Sequence, residues 1–148
     1  MLLVLLVSSC TDPIDQGLDS LEGEWDIDQI TIDRSEVRDL GTQTLDELTY
    51  VQPDGIFAFT LSEIDYDYTL DGMDTQINES YTLTSEKVNS GFTKVREFTL
   101  ELETQLFDVD FGDGTRDSFE EAEAMVLTEV IEVDSIRTTT RISLTKRE

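Results

Sequence analysis

Apolar and polar residues alternate with a period of two along most of the chain from Trp25 onward. In residues 63–70, four large apolar or aromatic side chains fall on one face and three acidic side chains on the other. Residues 96–103 repeat the pattern, and in residues 136–145 isoleucine, threonine and leucine share one face. This period is typical of β-strands that bury one face, and the β-branched content favours strand over helix. The pattern predicts an all-β domain.

Turn sequences separate the alternating segments. Glycine tolerates the positive φ of tight hairpin turns, so Gln52-Pro53-Asp54-Gly55 predicts a hairpin between the strands on either side. Further turns are predicted at residues 71–72, 89–91 and 112–114. Counting the segments gives about eight strands, at residues 24–33, 45–52, 55–62, 63–71, 76–85, 93–104, 121–133 and 135–146.

The connections between these strands indicate how they pair. Residues 34–48 and residues 118–124 are the two helix candidates, and no helices alternate with the strands. Short connections and antiparallel pairing are therefore expected. Eight antiparallel strands hide their edges fully when they close into an up-and-down barrel. A two-sheet β-sandwich produces the same alternation and is the alternative. We expect the barrel, in one domain at residues 21–148.

The first ten residues have the form of a bacterial lipoprotein signal. Residues 1–7 are too few to span a bilayer, but they suit the apolar part of a secretory signal peptide. The sequence Val7-Ser8-Ser9-Cys10 resembles the lipobox, whose Cys is lipidated and becomes the first residue of the mature protein. The resemblance implies a signal peptide at residues 1–9, a lipid anchor at Cys10 and a location in the bacterial cell envelope.

Two further expectations accompany the lipobox. We expect the signal peptide to be N-terminally incomplete, because no Lys or Arg precedes the apolar run. The polar segment that follows, residues 10–20, contains Pro, Gly and several Asp and is predicted to be a flexible tether. Thr11 directly after the Cys implies sorting to the outer membrane. The alternative is a buried N-terminal strand that carries an incidental thiol.

Charge and composition exclude several functions. The chain has 34 Asp and Glu against 10 Lys and Arg, a net charge of −24. Nucleic-acid affinity depends on basic residues that neutralise phosphates, so we expect no nucleic-acid partner. The chain has no His and one Cys, which excludes Ser-His-Asp and Cys-His catalysis and His-based metal sites. No pair of acids is singled out for glycoside hydrolysis. We expect no enzymatic activity and no cofactor.

A short motif opens the first predicted strand. Gly23-Glu24-Trp25 resembles the Gly-x-Trp signature of the lipocalins and of lipocalin-like domains in bacterial lipoproteins. The resemblance implies that Trp25 closes one end of the barrel and that a basic side chain from the last strand packs on it. The candidates are Arg141, Lys146 and Arg147, and Lys146 has the same parity as the inward residues Ile142 and Leu144. The alternative is that Trp25 is an ordinary core aromatic residue.

The inward faces of the predicted strands carry a set of aromatic residues. An eight-stranded barrel has room either to fill with side chains or to enclose one small ligand. The ligand-binding candidates are Phe57, Phe59, Tyr66, Tyr68, Tyr81 and Phe98. They predict a pocket for a small apolar or aromatic molecule, and the alternative is that they fill the core.

An acidic, glycine-containing segment at residues 108–117 is the one candidate metal site. Asp108, Asp110 and Asp113 could direct oxygens at Ca²⁺, although position 119 is Phe where an EF-hand has its last ligand. Residues 110–114 also resemble a signature of polycystic-kidney-disease repeats, without the rest of that pattern. A solvated hairpin turn is the simpler interpretation.

Together these patterns predict a lipid-anchored, non-enzymatic envelope protein with a lipocalin-like barrel. It would bind a small apolar ligand and face the periplasm or the cell surface. The alternative is an acidic protein–protein interaction module, or a calcium-dependent adhesion module, with no internal ligand.

Overall fold

The computed structural model describes residues 12–91, 93–112 and 122–148. These residues form one helix and nine strands. The elements are α1 (Pro13–Leu21), β1 (Gly23–Arg38), β2 (Gly41–Val51), β3 (Gly55–Phe59), β4 (Glu63–Leu70), β5 (Met73–Ser90), β6 (Thr93–Leu102), β7 (Leu106–Asp110), β8 (Ala124–Val133) and β9 (Ile136–Lys146).

The sheet closes on itself. One edge of β1 pairs antiparallel with β9 along residues 25–36. The other edge pairs antiparallel with β3 at residues 23–26. From β3 onward each strand pairs antiparallel with the next, as far as β9. Eight strands therefore form a closed barrel and β2 is a ninth, additional strand, which confirms the predicted all-β antiparallel barrel over the sandwich.

The predicted hairpin at residues 52–55 is wrong. β2 and β3, on either side of it, pair with successive parts of the same edge of β1, at residues 29–38 and 23–26. Gln52 and Gly55 adopt φ of 47° and 150°, and the Gln52 N–H donates to the Asp28 carbonyl at 2.8 Å. Pro53 has no N–H for a strand ladder. The segment therefore does not reverse the chain. It connects two strands that run in the same direction along one edge of β1.

The helix predicted at residues 34–48 is also wrong. This segment is the β1–β2 hairpin, which turns at residues 39–40. Arg34 lies opposite Asp46 in the register, and their side chains form an ion pair at 3.2 Å. Pairing of β1 with both β2 and β9 outweighs the weak helical period, because helix propensity is readily overridden by tertiary context. Of the second helix candidate, residues 118–121 lie outside the described residues and β8 begins at Ala124.

Strand β7 was not predicted. Its five residues, Leu106–Asp110, alternate with Phe107 and Val109 buried and the acidic residues exposed. The segment is short, and its acids were interpreted as part of a loop. β7 nevertheless pairs with both β6 and β8, and it completes the eight strands of the barrel.

A helix occupies most of the segment that was predicted to be a flexible tether. The Asp12 side chain accepts a hydrogen bond from the Ile14 N–H at 2.9 Å, and Pro13 begins the helix, an arrangement that favours helix initiation. Gly17 packs so closely on the barrel that a Cβ there would lie 2.7 Å from the Leu83 side chain. The apolar face of α1 therefore folds onto the barrel. No helix among the described residues is long and apolar enough to cross a membrane.

Candidate functional site

One end of the barrel is closed around Trp25. The Trp25 side chain is fully buried, and its indole N–H donates to the Leu21 carbonyl at 2.8 Å, which connects the end of α1 to β1. The Lys146 ammonium lies 5.5 Å from the centre of the Trp25 ring and donates to the Ser20 carbonyl at 3.1 Å. A lysine ammonium over an indole ring is a favourable cation–π geometry.

Of the three basic candidates, the structure therefore places Lys146 on Trp25, whereas Arg147 forms ion pairs with Glu24 and Asp26. Arg141 lies on the outer face of β9 and forms an ion pair with Asp33. Gly23 has a φ of 122°, and a Cβ there would lie 3.3 Å from the Lys146 side chain. The small residue at position 23 thus leaves room for the lysine that crosses above it.

Most of the aromatic candidates pack against one another in the core. Phe57, Phe59, Tyr66, Tyr81 and Phe98 are buried. The Phe57 ring stacks on the Tyr66 ring at 4.5 Å between centres, and Phe98 meets the edge of Phe111 at 5.3 Å. These contacts fill the interior between the closed end and the level of Tyr66. Tyr68 is half-buried and is the candidate that reaches the opposite end.

The opposite end of the barrel has a partly exposed apolar wall. This end, called the mouth here, lies where β4 turns into β5 at residues 71–72. Its apolar residues are packed against the core and still partly exposed, namely Ile32, Tyr50, Tyr68, Leu70 and Ile77. The Tyr50 hydroxyl donates to the Asp71 carboxylate at 2.6 Å, which connects β2 to the β4–β5 turn. The wall is therefore held in place and accessible.

Below the mouth, polar side chains cross the barrel interior above the aromatic core. The Tyr66 hydroxyl donates to the Gln105 side-chain carbonyl. The Thr104 hydroxyl donates to one carboxylate oxygen of Glu79 at 2.8 Å, and the other oxygen of Glu79 is buried without a hydrogen-bond partner. Glu129, on β8, is half-buried. Glu79, Thr104, Gln105, Glu129 and the Tyr66 hydroxyl are called the polar layer here.

The electrostatics of the polar layer reflect burial. Loss of hydration raises the pKa of the Glu129 carboxyl, and hydrogen bonding from Gln105 opposes part of the rise. Burial is also the largest cause that raises the pKa of Tyr66, and the nearby carboxylates of Glu129 and Glu79 add to it. Loss of hydration is therefore the main cause of the raised pKa of both groups.

Glu79, Gln105 and Glu129 were not among the predicted site residues. Glu129 has the same parity as the buried residues Met125 and Leu127, and Glu79 has the same parity as Tyr81 and Leu83. An acid on an otherwise apolar face is the signal that could have identified both of them. Gln105 follows a turn, where parity along one strand gives no prediction.

Two of the three predicted calcium residues, Asp108 and Asp110, lie on the outside of the barrel. Asp108 and Asp110 are exposed on the outer face of β7, and the Asp110 carboxylate accepts a hydrogen bond from the Gly112 N–H at 2.8 Å. Asp113 lies outside the described residues. Within the ranges that the structure describes, no group of three or more acids or cysteines is arranged to hold a metal ion.

A cleft of about 500 Å³ lies beside these acids, between β6, β7 and β8. It is lined by Arg96, Glu97, Phe98, Asp108, Val109, Asp110, Gly112 and Thr128. Of the aromatic ligand candidates, only Phe98 borders it. The cleft is therefore separate from the mouth.

The buried tyrosines should make stability fall at alkaline pH. Burial raises the pKa of Tyr66 and Tyr68, and raises that of Tyr81 to about 12. Above pH ~10 the unfolded chain loses phenol protons that the folded chain retains, so the free energy of unfolding decreases as pH rises through this window. Urea unfolding at pH 8 to 12 should show this decrease, and Tyr81→Phe should reduce it. Phenolate absorbance from all four tyrosines near pH 10 in a folded protein would contradict the expectation.

No protein-family model, curated protein or solved structure matches this chain. The functional assignment consequently rests on the barrel, its closed end and the residues of its mouth.

Proposed function

We propose that this protein is a lipid-anchored, non-enzymatic lipocalin-like barrel of the bacterial cell envelope that binds a small apolar or aromatic ligand at its mouth. The observation that carries the proposal is the asymmetry between the two ends of the barrel. At one end α1, Trp25 and Lys146 close the interior. At the other, Tyr68 and its apolar neighbours remain partly exposed above a filled core.

The filled core sets the depth of the site. Phe57 and Tyr66 are almost completely buried in the interior, and they form a floor under Tyr68, whose ring lies parallel to that of Tyr66 at 5.9 Å. A ligand would therefore lie at the mouth against Tyr68, Leu70 and Ile77, without passing the level of Tyr66. Such a shallow site suits a single aromatic or short aliphatic group.

A neutral aromatic fluorophore tests the site. N-phenyl-1-naphthylamine should bind with a saturable, one-site fluorescence increase. Tyr68→Ala removes a partly exposed ring of the wall and should weaken binding about tenfold, since aromatic contacts contribute on the order of 1 kcal/mol beyond their buried area. Val130→Ala removes a comparable apolar side chain, half exposed on β8, and is the matched control.

Two outcomes of the fluorophore titration would contradict the ligand proposal. One is the absence of saturable binding to the wild-type protein. The other is equal weakening by Tyr68→Ala and Val130→Ala, which would place the fluorophore on the general apolar surface.

The anchor is tested separately at Cys10, which lies outside the described residues. With its natural N-terminus intact and expressed in a Gram-negative host, the protein should partition into the detergent phase and sediment with membranes. Cys10→Ser removes the thiol that would carry the lipid and should move the protein to the soluble fraction. Ser9→Ala keeps a small residue before the Cys and should leave fractionation unchanged. Equal fractionation of Cys10→Ser and wild type would refute the anchor.

A second candidate function is protein–protein interaction through β2. Among the described residues, β2 pairs with β1 through one edge and has no strand on the other. Leu45 and Val51 of this strand are 46% and 72% exposed. An unpaired edge with exposed apolar side chains can accept a strand from another chain. Failure of the fluorophore to bind would favour this function.

A further inference from the structure

Two carboxylates, one on β5 and one on β8, point into the barrel interior below the mouth. Glu79 on β5 lies opposite the buried Ile64 in the register, so its side chain is on the inner face. Glu129 on β8 lies opposite Thr140, which in turn lies opposite Ile32 of the apolar wall. Both acids therefore face the interior, whereas most acids of this chain are exposed on the outer faces of the strands.

Neither carboxylate is neutralised by a basic side chain. Among residues 12–91, 93–112 and 122–148, the ion pairs involve other acids, and none includes Glu79 or Glu129. Arg34, the arginine that β1 places above Ile32, is itself paired with Asp46 at 3.2 Å. One oxygen of Glu79 is buried with no donor, an arrangement that costs free energy until a donor is supplied.

The aromatic surface beside these acids can also accept a cation. The rings of Tyr66 and Tyr68 are parallel within 6°, with centres 5.9 Å apart, and Tyr68 presents its ring at the mouth. Ring faces carry negative charge density that attracts cations. The mouth therefore combines an apolar wall and the ring of Tyr68, and below them lie two carboxylates without a compensating base.

We propose that the mouth selects a ligand with a positively charged nitrogen on an apolar or aromatic body. The body would lie against Tyr68 and Ile77, and the nitrogen would donate hydrogen bonds to Glu129 and to the unpartnered oxygen of Glu79. This selectivity rests on the ligand site proposed above, and it adds that the ligand carries a positive charge. An anionic ligand would be repelled by the same groups, and a neutral one would leave the negative charge of both carboxylates without a compensating cation.

A pair of matched naphthyl compounds tests the proposal by isothermal titration calorimetry. 2-(1-Naphthyl)ethylamine carries an ammonium at pH 7.5, and 2-(1-naphthyl)ethanol replaces that group with a hydroxyl. The amine should bind at least about tenfold more tightly than the alcohol, as expected for a hydrogen bond to a charged group in a partly dehydrated site. Glu129→Gln with Glu79→Gln should abolish the difference.

The control variant separates the site from the overall charge. Glu101→Gln removes one exposed acid from β6 and should keep the preference for the amine. Near-ultraviolet circular dichroism checks that each variant is folded. If the double variant does not fold, Glu129→Gln alone replaces it, because Glu129 is only half-buried. This single variant should reduce the preference for the amine.

The remaining outcomes distinguish the two proposals. Equal affinity of the wild-type protein for both compounds would overturn the charge selectivity and leave the ligand site standing. A preference for the amine that persists in the glutamine variants would also overturn it, because the outer acids would then be responsible. Binding of neither compound would overturn both proposals.

Discussion

Phe57→Ala is expected to lower the free energy of unfolding by about 3–5 kcal/mol, the usual cost of removing a fully buried phenylalanine ring. Phe57 has no exposed surface, and its ring stacks on Tyr66 at 4.5 Å and lies 6.4 Å from the rings of both Phe59 and Tyr68. The substitution would leave a cavity between the three remaining rings. Chemical denaturation at constant pH measures the change.

Leu40→Ala is the control for this cavity. Leu40 lies at the tip of the β1–β2 hairpin and is fully exposed, so its truncation should change the free energy of unfolding by less than about 0.5 kcal/mol. Phe57 is also the floor beneath the mouth, and Phe57→Ala should weaken fluorophore binding as well. A loss of stability below about 1 kcal/mol would show that the aromatic residues do not form the stacked core.

Gly55→Ala is expected to destabilise the barrel by at least about 3 kcal/mol, or to prevent folding. Gly55 has a φ of 150°, and a Cβ at this position would lie 2.2 Å from the Asp67 carbonyl oxygen and 2.6 Å from the Tyr68 Cα. Both neighbours are backbone or attached directly to it, so β3 and β4 would have to separate to admit a methyl group. The midpoints of thermal unfolding and of denaturant-induced unfolding measure the loss of stability.

Gly41→Ala separates the steric clash from the backbone strain. Gly41 has a comparable φ of 129°, but a Cβ there would meet no atom within 4 Å. Its substitution should cost only the strain of the conformation, on the order of 1 kcal/mol. Equal effects of the two alanine substitutions would show that the close approach of β3 to β4 is unimportant. Because Gly55 lies opposite Tyr68 in the register, this approach also positions the ring that lines the mouth.

The sequence alone predicted much of the barrel, because a period of two assigns each residue of a strand to a face. That parity correctly placed Phe57, Tyr66 and Leu100 in the core. It also placed Lys146 inward, on the side where it meets Trp25. Positions of this kind follow from the local geometry of one strand and need no knowledge of its neighbours.

Parity could not predict which strands pair. Residues 52–55 have the composition of a hairpin turn, yet β2 and β3 both pair with β1, because β1 is long enough to serve two strands along one edge. The composition of residues 10–20 predicts a polar tether, yet residues 13–21 form a helix because the barrel end offers a surface for Leu18 and Leu21. Both outcomes depend on contacts with residues far along the chain.

The candidate site divides in the same way. The sequence by itself determined the alternation of strand faces, the apolar and aromatic residues of the core, and the excess of acid on the outer wall. Only the tertiary structure decided that Tyr66 meets Gln105, 39 residues later, and that Thr104 meets Glu79. A pattern along one strand reports which way a side chain faces, whereas closure of the barrel determines what it faces.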